Sequence, residues 1–187
     1  MKSISIQKVT ASGIIAGLFG LCLLLFACSQ DSKIAPQYPA KVPPALAKKW
    51  ISDQFPINDF WNYTGTYPGK MAPGSLALAI NPDGDCELYQ ITGQRNAGGL
   101  TEAFTYQKGK VKFHADHSFT FYPSQGNIRE YIKICDAALK NSEHQATHSE
   151  LTPRTFYYSF QANQQDQLLI RANHPAIAAT TLHTSQW

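Results

Sequence analysis

Few residues in this 187-residue chain have the type and spacing to do chemistry. His144 and His148 stand four apart in SEHQATHSE, where a helix would put both imidazoles on one face, as some zinc pairs require. The pattern is not H-E-x-x-H and implies no third ligand, so a solvated loop is expected. His114 and His117 flank an expected turn, and alternation with Phe113 points both outward. Asn81, Asp83 and Asp85 in NPDGD alternate like calcium ligands. Gly84, however, falls between the aspartates, and Cys86 stands where the glycine of a calcium loop belongs. Ser75 lacks the G-x-S-x-G setting of an activated serine, and no second motif places a base beside it. Glu102, Asp116, Glu130 and Asp136 are available as carboxylates, with nothing to rank them above surface charge. The expectation is a chain without catalytic residues, metal site or cofactor: not an enzyme.

Aromatic residues are the other resource, with ten Phe, nine Tyr and three Trp. They can fill a core, line a cavity for an apolar ligand, or form a contact surface for a partner. Tyr131, Tyr157 and Tyr158 are the candidate ligand-binding residues.

The first thirty residues have a different logic. Lys2 and Lys8 precede an apolar and glycine run from Ile14 to Ala27, shorter than the roughly 20 residues a membrane span needs. A positive start, a short apolar middle and a small-residue exit make a secretory signal peptide. Leu25-Phe26-Ala27-Cys28 resembles the lipobox of bacterial lipoproteins, with leucine three before the cysteine and a small residue just before it. Phe26 stands where that family prefers a small residue. The resemblance implies cleavage after residue 27, a palmitate-type lipid anchor on Cys28, and, with Ser29 rather than aspartate next, residence at the outer membrane. Three acyl chains, as such lipoproteins carry, exceed the two signals that stable anchoring takes.

Loss of residues 1–27 takes the net charge from +3 to +1. No basic cluster remains to attract nucleic acid. A mature chain of 160 residues is the size of one domain. Cys22 leaves with the signal and Cys28 is lipidated. Cys86 and Cys135 remain, and two cysteines in an exported protein most often pair, so a Cys86–Cys135 disulfide is expected.

Residues 28–44 carry four prolines and read as an extended tether. Leu46 and Trp50 share a helical face in PPALAKKWISDQF, so a short helix and connection are expected over 45–58. From residue 59 to 172 the chain is a series of short runs rich in β-branched and aromatic residues, divided by turn signals such as NPDGD, RNAGG, QKGK, ADHS and PSQGN. Val111 and Phe113 share a face, as do Phe119 and Phe121, and again Phe156, Tyr158 and Phe160. This period of two marks strands, and Asp83-Gly84 marks a hairpin. Lys140–Leu151 is polar without a strand pattern, and a loop or a short helix is expected there. Residues 173–187 read as a partly ordered C-terminal tail.

FWNYTGTYPGK followed by GSLALAINPDGDCELYQ resembles the opening of small lipocalin-like barrels in bacterial lipoproteins, nearest to the N-terminal domain of the NlpE type. FTFYPSQG and REYIKIC fit the same pattern, and the likeness covers about residues 60–135. The C-x-x-C of that family is absent from GKMAPGS, so copper binding does not carry over. The expected fold class is all-β: a small antiparallel lipocalin-like barrel of about eight strands, with a short N-terminal helix and a signal peptide. The expected function is an outer-membrane-anchored, non-enzymatic binding module for an envelope protein or a small apolar ligand. The alternatives are an accessory subunit of an envelope assembly and, more remotely, a hydrolase-inhibitor lipoprotein.

Overall fold

A computed structural model describes residues 41–53, 55–61, 74–96, 98–134, 138, 140–162 and 164–187. The signal peptide, Cys28, most of the tether and the first expected strand, NYTGTY, lie outside the described residues. The described residues form an all-β, antiparallel structure. Its strands are β1 (Lys49–Ile51), β2 (Ser75–Ile80), β3 (Asp85–Asn96), β4 (Gly99–His114), β5 (Ser118–Lys133), β6 (Lys140–Gln145), β7 (Arg154–Gln161), β8 (Gln164–Ala172) and β9 (Thr180–Thr184). One helical turn, α1 (Ile57–Trp61), follows β1.

Hydrogen bonding runs β4-β3-β2-β1-β9-β8-β7-β5, and β5 then pairs back onto β4. Eight strands therefore form a ring. β6 stands outside it, paired to β5 along Asn127–Ile132, while β7 holds the same edge of β5 along Ser118–Phe121.

Alternation decides what faces inward. Leu78 and Ile80 of β2, Cys86 and Leu88 of β3, Val111 of β4, Phe119 and Phe121 of β5, and Phe156 of β7 point into the ring. There they pack with Trp50, Leu168, Ile170 and Leu182. Trp50, Phe119, Phe121, Leu78 and Leu88 are wholly buried. Phe119 stacks on Phe156 at 5.3 Å and tilts against Phe113 at 5.4 Å. Val42 and Leu46 enter the same core, so the tether's described end is already part of the folded body. A second cluster covers the outer face of β2–β5. Ala77, Tyr89, Ile91, Phe104 and Tyr131 pack under Phe55 and Phe60 from the α1 segment. This is why all six residues of β2 are buried.

The hairpin at Asp83-Gly84 forms as expected. Gly84 takes φ 84°, and Asp83 Oδ1 accepts from the Asp85 amide at 3.0 Å. Two other turn signals are not turns. QKGK lies inside β4 and PSQGN inside β5, facing each other. Gly109 pairs with Pro123 and Lys108 with Gln125, leaving Ser124 as the extra residue of a bulge. Proline cannot donate to a ladder and tolerates a bulge. A Cβ on residue 109 would stand 2.0 Å from the Tyr122 carbonyl oxygen, so only glycine lets the strands approach. The turn-forming residues serve a bend in two continuous strands of 16 residues each.

Three further expectations are corrected. The helix expected near residue 50 is a turn closed by Leu46 and Ala47 amides on the Pro43 carbonyl, followed by strand β1. A helix that short has little stability of its own, and Trp50 is fixed instead by partners on both sides, Leu78 and Thr184. The expected tail contributes β9, whose Leu182 is wholly buried. The Cys86–Cys135 disulfide is not formed: Cys86 is a free, buried thiol. Cys135 lies outside the described residues.

Candidate functional site

Among the described residues the ring interior is packed with large apolar side chains, and its polar end is also occupied. Arg154, Gln90 and Gln107 meet there. The Arg154 guanidinium donates to Gln90 Oε1 at 2.8 Å and to Gln107 Oε1, while Gln107 Nε2 donates to the Glu150 carbonyl at 2.9 Å. Burial lowers the Arg154 pKa, and the nearby Cys86 sulfur acts against that shift. The Cys86 thiol is pushed far up by burial first and by the Glu87 charge second, so it stays protonated and unreactive.

A strap of residues 146–151 covers this end. Thr147 donates both its amide and its hydroxyl to Glu150 Oε2 at 2.7 Å, and His144 Nε2 lies 3.1 Å from Glu150 Oε1. These bonds, the Thr147 amide foremost, pull the Glu150 carboxyl down to about 2. His144 is thus a structural partner, and His148 is exposed in the turn. His114 meets the Thr120 hydroxyl at 2.9 Å, and the His117 ring lies against Tyr158 at 6.0 Å. Among the described residues no cluster of three or more His, Cys, Asp or Glu could hold a metal. Ser75 is buried in β2, and the Ser118 hydroxyl donates to Asp116 rather than to an imidazole.

The candidate tyrosines separate. Tyr131 is buried on the outer face, edge-on to Phe104 at 5.4 Å. Tyr158 is half-buried in the interior against Phe113, Phe119 and Phe160. Tyr157 faces the other way, paired with Arg171 across β8 and with Ser118 across β5. They form no common pocket.

What the structure does bring together is a groove of about 380 Å3 on the outer face of β4, β5 and β6. Tyr106, Gln125, Asn127, Arg129, Glu143 and Gln145 line it. The pairs Tyr106↔Asn127 and Asn127↔Gln145 set three of these side by side, and Arg129↔Glu143 sets two more. Asn127 Nδ2 donates to Glu143 Oε1 at 2.8 Å. Arg129 is buried at the groove's inner wall. It donates to the Phe60 carbonyl and lies over the Phe60 and Phe104 rings at 5.2 and 5.9 Å. Glu102, wholly buried on the same face, is opposite Tyr131 and diagonal to Arg129. Burial raises the Tyr106 pKa, with the Glu87 charge adding to it. Tyr89 is raised by burial first, then by the hydrogen bond it donates to Glu87 Oε2 at 2.6 Å and by the Glu87 charge. Both phenols therefore remain neutral donors. The sequence held no sign of this groove, because its residues are adjacent only through the register.

No family model matches this chain, no curated protein is detectably similar in sequence, and no solved structure matches its fold.

Proposed function

We propose that the chain is a lipid-anchored lipoprotein of the outer membrane whose β-ring, read as a lipocalin-like barrel, is a non-enzymatic module that binds an envelope protein on its outer surface. The observation that supports this reading is the packing of the described interior, where Trp50, Phe119, Phe121 and Leu168 are wholly buried, whereas the groove over β4–β6 is open to solvent. Tyrosine and arginine, the residue types that dominate binding surfaces, line that groove. Lipid on Cys28 would supply retention, and residues 28–41, ahead of the packed Val42, would supply reach, up to roughly 40 Å if extended.

Two measurements test the reading. Cys28→Ala is expected to move the protein from the outer-membrane fraction to the soluble periplasm; persistence in the membrane fraction refutes the anchor. Native mass spectrometry of the exported chain is expected to give the bare mass. A bound lipid that leaves on activation would return the binding site to the interior.

A further inference from the structure

The ring uses both edges of its eight strands in pairing, and β6 is left as the last strand of the sheet, with β5 as its strand partner. Its register along Asn127–Ile132 runs without a shift. The Ala146 amide bonds to the Gly126 carbonyl. In an antiparallel ladder that bond makes Ser142 and His144 turn their backbone groups toward β5, and Glu143 and Gln145 turn theirs away. The amides and carbonyls of Glu143 and Gln145 have no backbone partner among the described residues. Natural proteins blunt such an edge with short strands, charged side chains, proline, a bulge or a cover. β6 carries Lys140 and Glu143 but neither proline nor bulge, and five of its six residues are exposed.

The side chains of the same two residues help line the groove. An unsaturated backbone edge and a side-chain recess are therefore contiguous. That is the combination by which sheets take up extended peptides: the edge gives main-chain hydrogen bonds and the recess reads alternate side chains. The amides of Gln125 and Gln145 make no hydrogen bond within the described residues and can each donate and accept. Glu143 is exposed, with Asn127 on one carboxylate oxygen, while Arg129, the cation of the groove, is buried against aromatic rings. The charge presented to solvent is thus the Glu143 carboxylate.

We infer that β6 and the adjoining groove form a docking site for an extended polypeptide segment of a partner protein, which adds as a strand to the Glu143–Gln145 edge and sets a lysine or arginine against Glu143. This rests on the protein-binding reading above and specifies its site.

The test uses the exported chain and a displayed library of random linear decapeptides. Expected are binders rich in β-branched residues with one basic position. On binding, they protect the Glu143 and Gln145 amides from hydrogen exchange. Glu143→Pro removes one outward amide without breaking a β5–β6 bond, a substitution that edge strands tolerate. It should weaken a selected peptide at least about tenfold at unchanged melting temperature, and Glu143→Gln should relax the basic preference. Should Glu143→Pro lower the melting temperature, Glu143→Gln together with exchange protection decides. Failure to select any binder, protection elsewhere on the ring, or indifference to both substitutions overturns the inference. Crosslinking in the intact envelope separates the two readings: a partner captured away from β6 keeps the protein-binding function and removes this site, while no partner on any face removes both.

Discussion

Reducing agent should leave the folded chain unchanged. Were Cys86 bridged to Cys135, reduction would release a loop of about 50 residues and cost roughly 3–4 kcal/mol in the chain-entropy account. Cys86 is a free thiol, so the expected loss is nil. Cys86 is fully buried among Leu78, Leu88 and Val111, with its thiol held protonated. Alkylation must therefore wait for opening. For a domain with about 5 kcal/mol of stability, global opening slows modification by about 10³–10⁴ relative to the unfolded chain. Cys86→Ala removes one buried sulfur. At about 0.8 kcal/mol for a methylene-sized group plus a partial cavity term, the cost is about 1 kcal/mol. The assay is urea unfolding of the exported chain from residue 29, with and without reductant, joined to thiol counting by mass after alkylation in native buffer and in denaturant. Cys86 should label only in denaturant, at full mass, with one midpoint in both redox states. An unfolding free energy that falls by more than about 2 kcal/mol on reduction, or a peptide carrying Cys86 joined to Cys135, would refute the free-thiol reading.

Other outcomes follow from packing and charge. Gly109→Ala should cost at least about 2 kcal/mol, because its Cβ meets the Tyr122 backbone rather than a movable side chain; a loss below about 0.5 kcal/mol in urea would mean that the strands part freely at the bulge. Phe119→Ala should cost about 3–5 kcal/mol, as for other buried aromatics, read by thermal or urea unfolding. Glu150 has a folded pKa of about 2 against an ordinary 4.5, so the unfolded chain binds the proton first as pH falls. Its contribution is complete above about pH 4.5 and disappears as pH drops toward 2. The protection of the Thr147 amide against hydrogen exchange, relative to its intrinsic rate at each pH, should fall across that window, and Glu150→Gln should abolish the dependence.

The sequence exposed the parts of the fold whose cause is local. Asp83-Gly84 forms its hairpin because glycine adopts the required positive φ, and the alternation of Phe119 with Phe121 and of Phe156 with Tyr158 marks the inward face correctly. Elements defined by distant partners were illegible. Lys49–Ile51 is a strand only because β2 and β9 flank it, and Thr180–Thr184 offers a single buried apolar residue, Leu182, as its signal. QKGK and PSQGN looked like turns because glycine and proline mark both turns and bulges, and only the pairing distinguishes them. Tyr131 sits opposite the isoleucine face of its strand, which reads as solvent-facing until Phe55 and Phe60 are known to cover it. The groove was out of reach for the same reason, since Tyr106 and Gln145 are joined only through Asn127 between them.

Closure of the ring through β1 and β9 sets a timetable for assembly. Trp50 meets Thr184, so two strands more than 130 residues apart must find each other before either has its full set of bonds. Contacts this distant slow folding. As the chain emerges N-terminus first, β2 to β5 can pair through local hairpins while β1 and β8 wait with one edge bare. Until Thr184 is available, two open edges exist that the finished protein lacks, and both can pair with another molecule. The hazardous interval therefore falls between synthesis of β8 and arrival of β9. A chain cut short at residue 172 would remain in that interval permanently, with association and proteolysis as its expected fates.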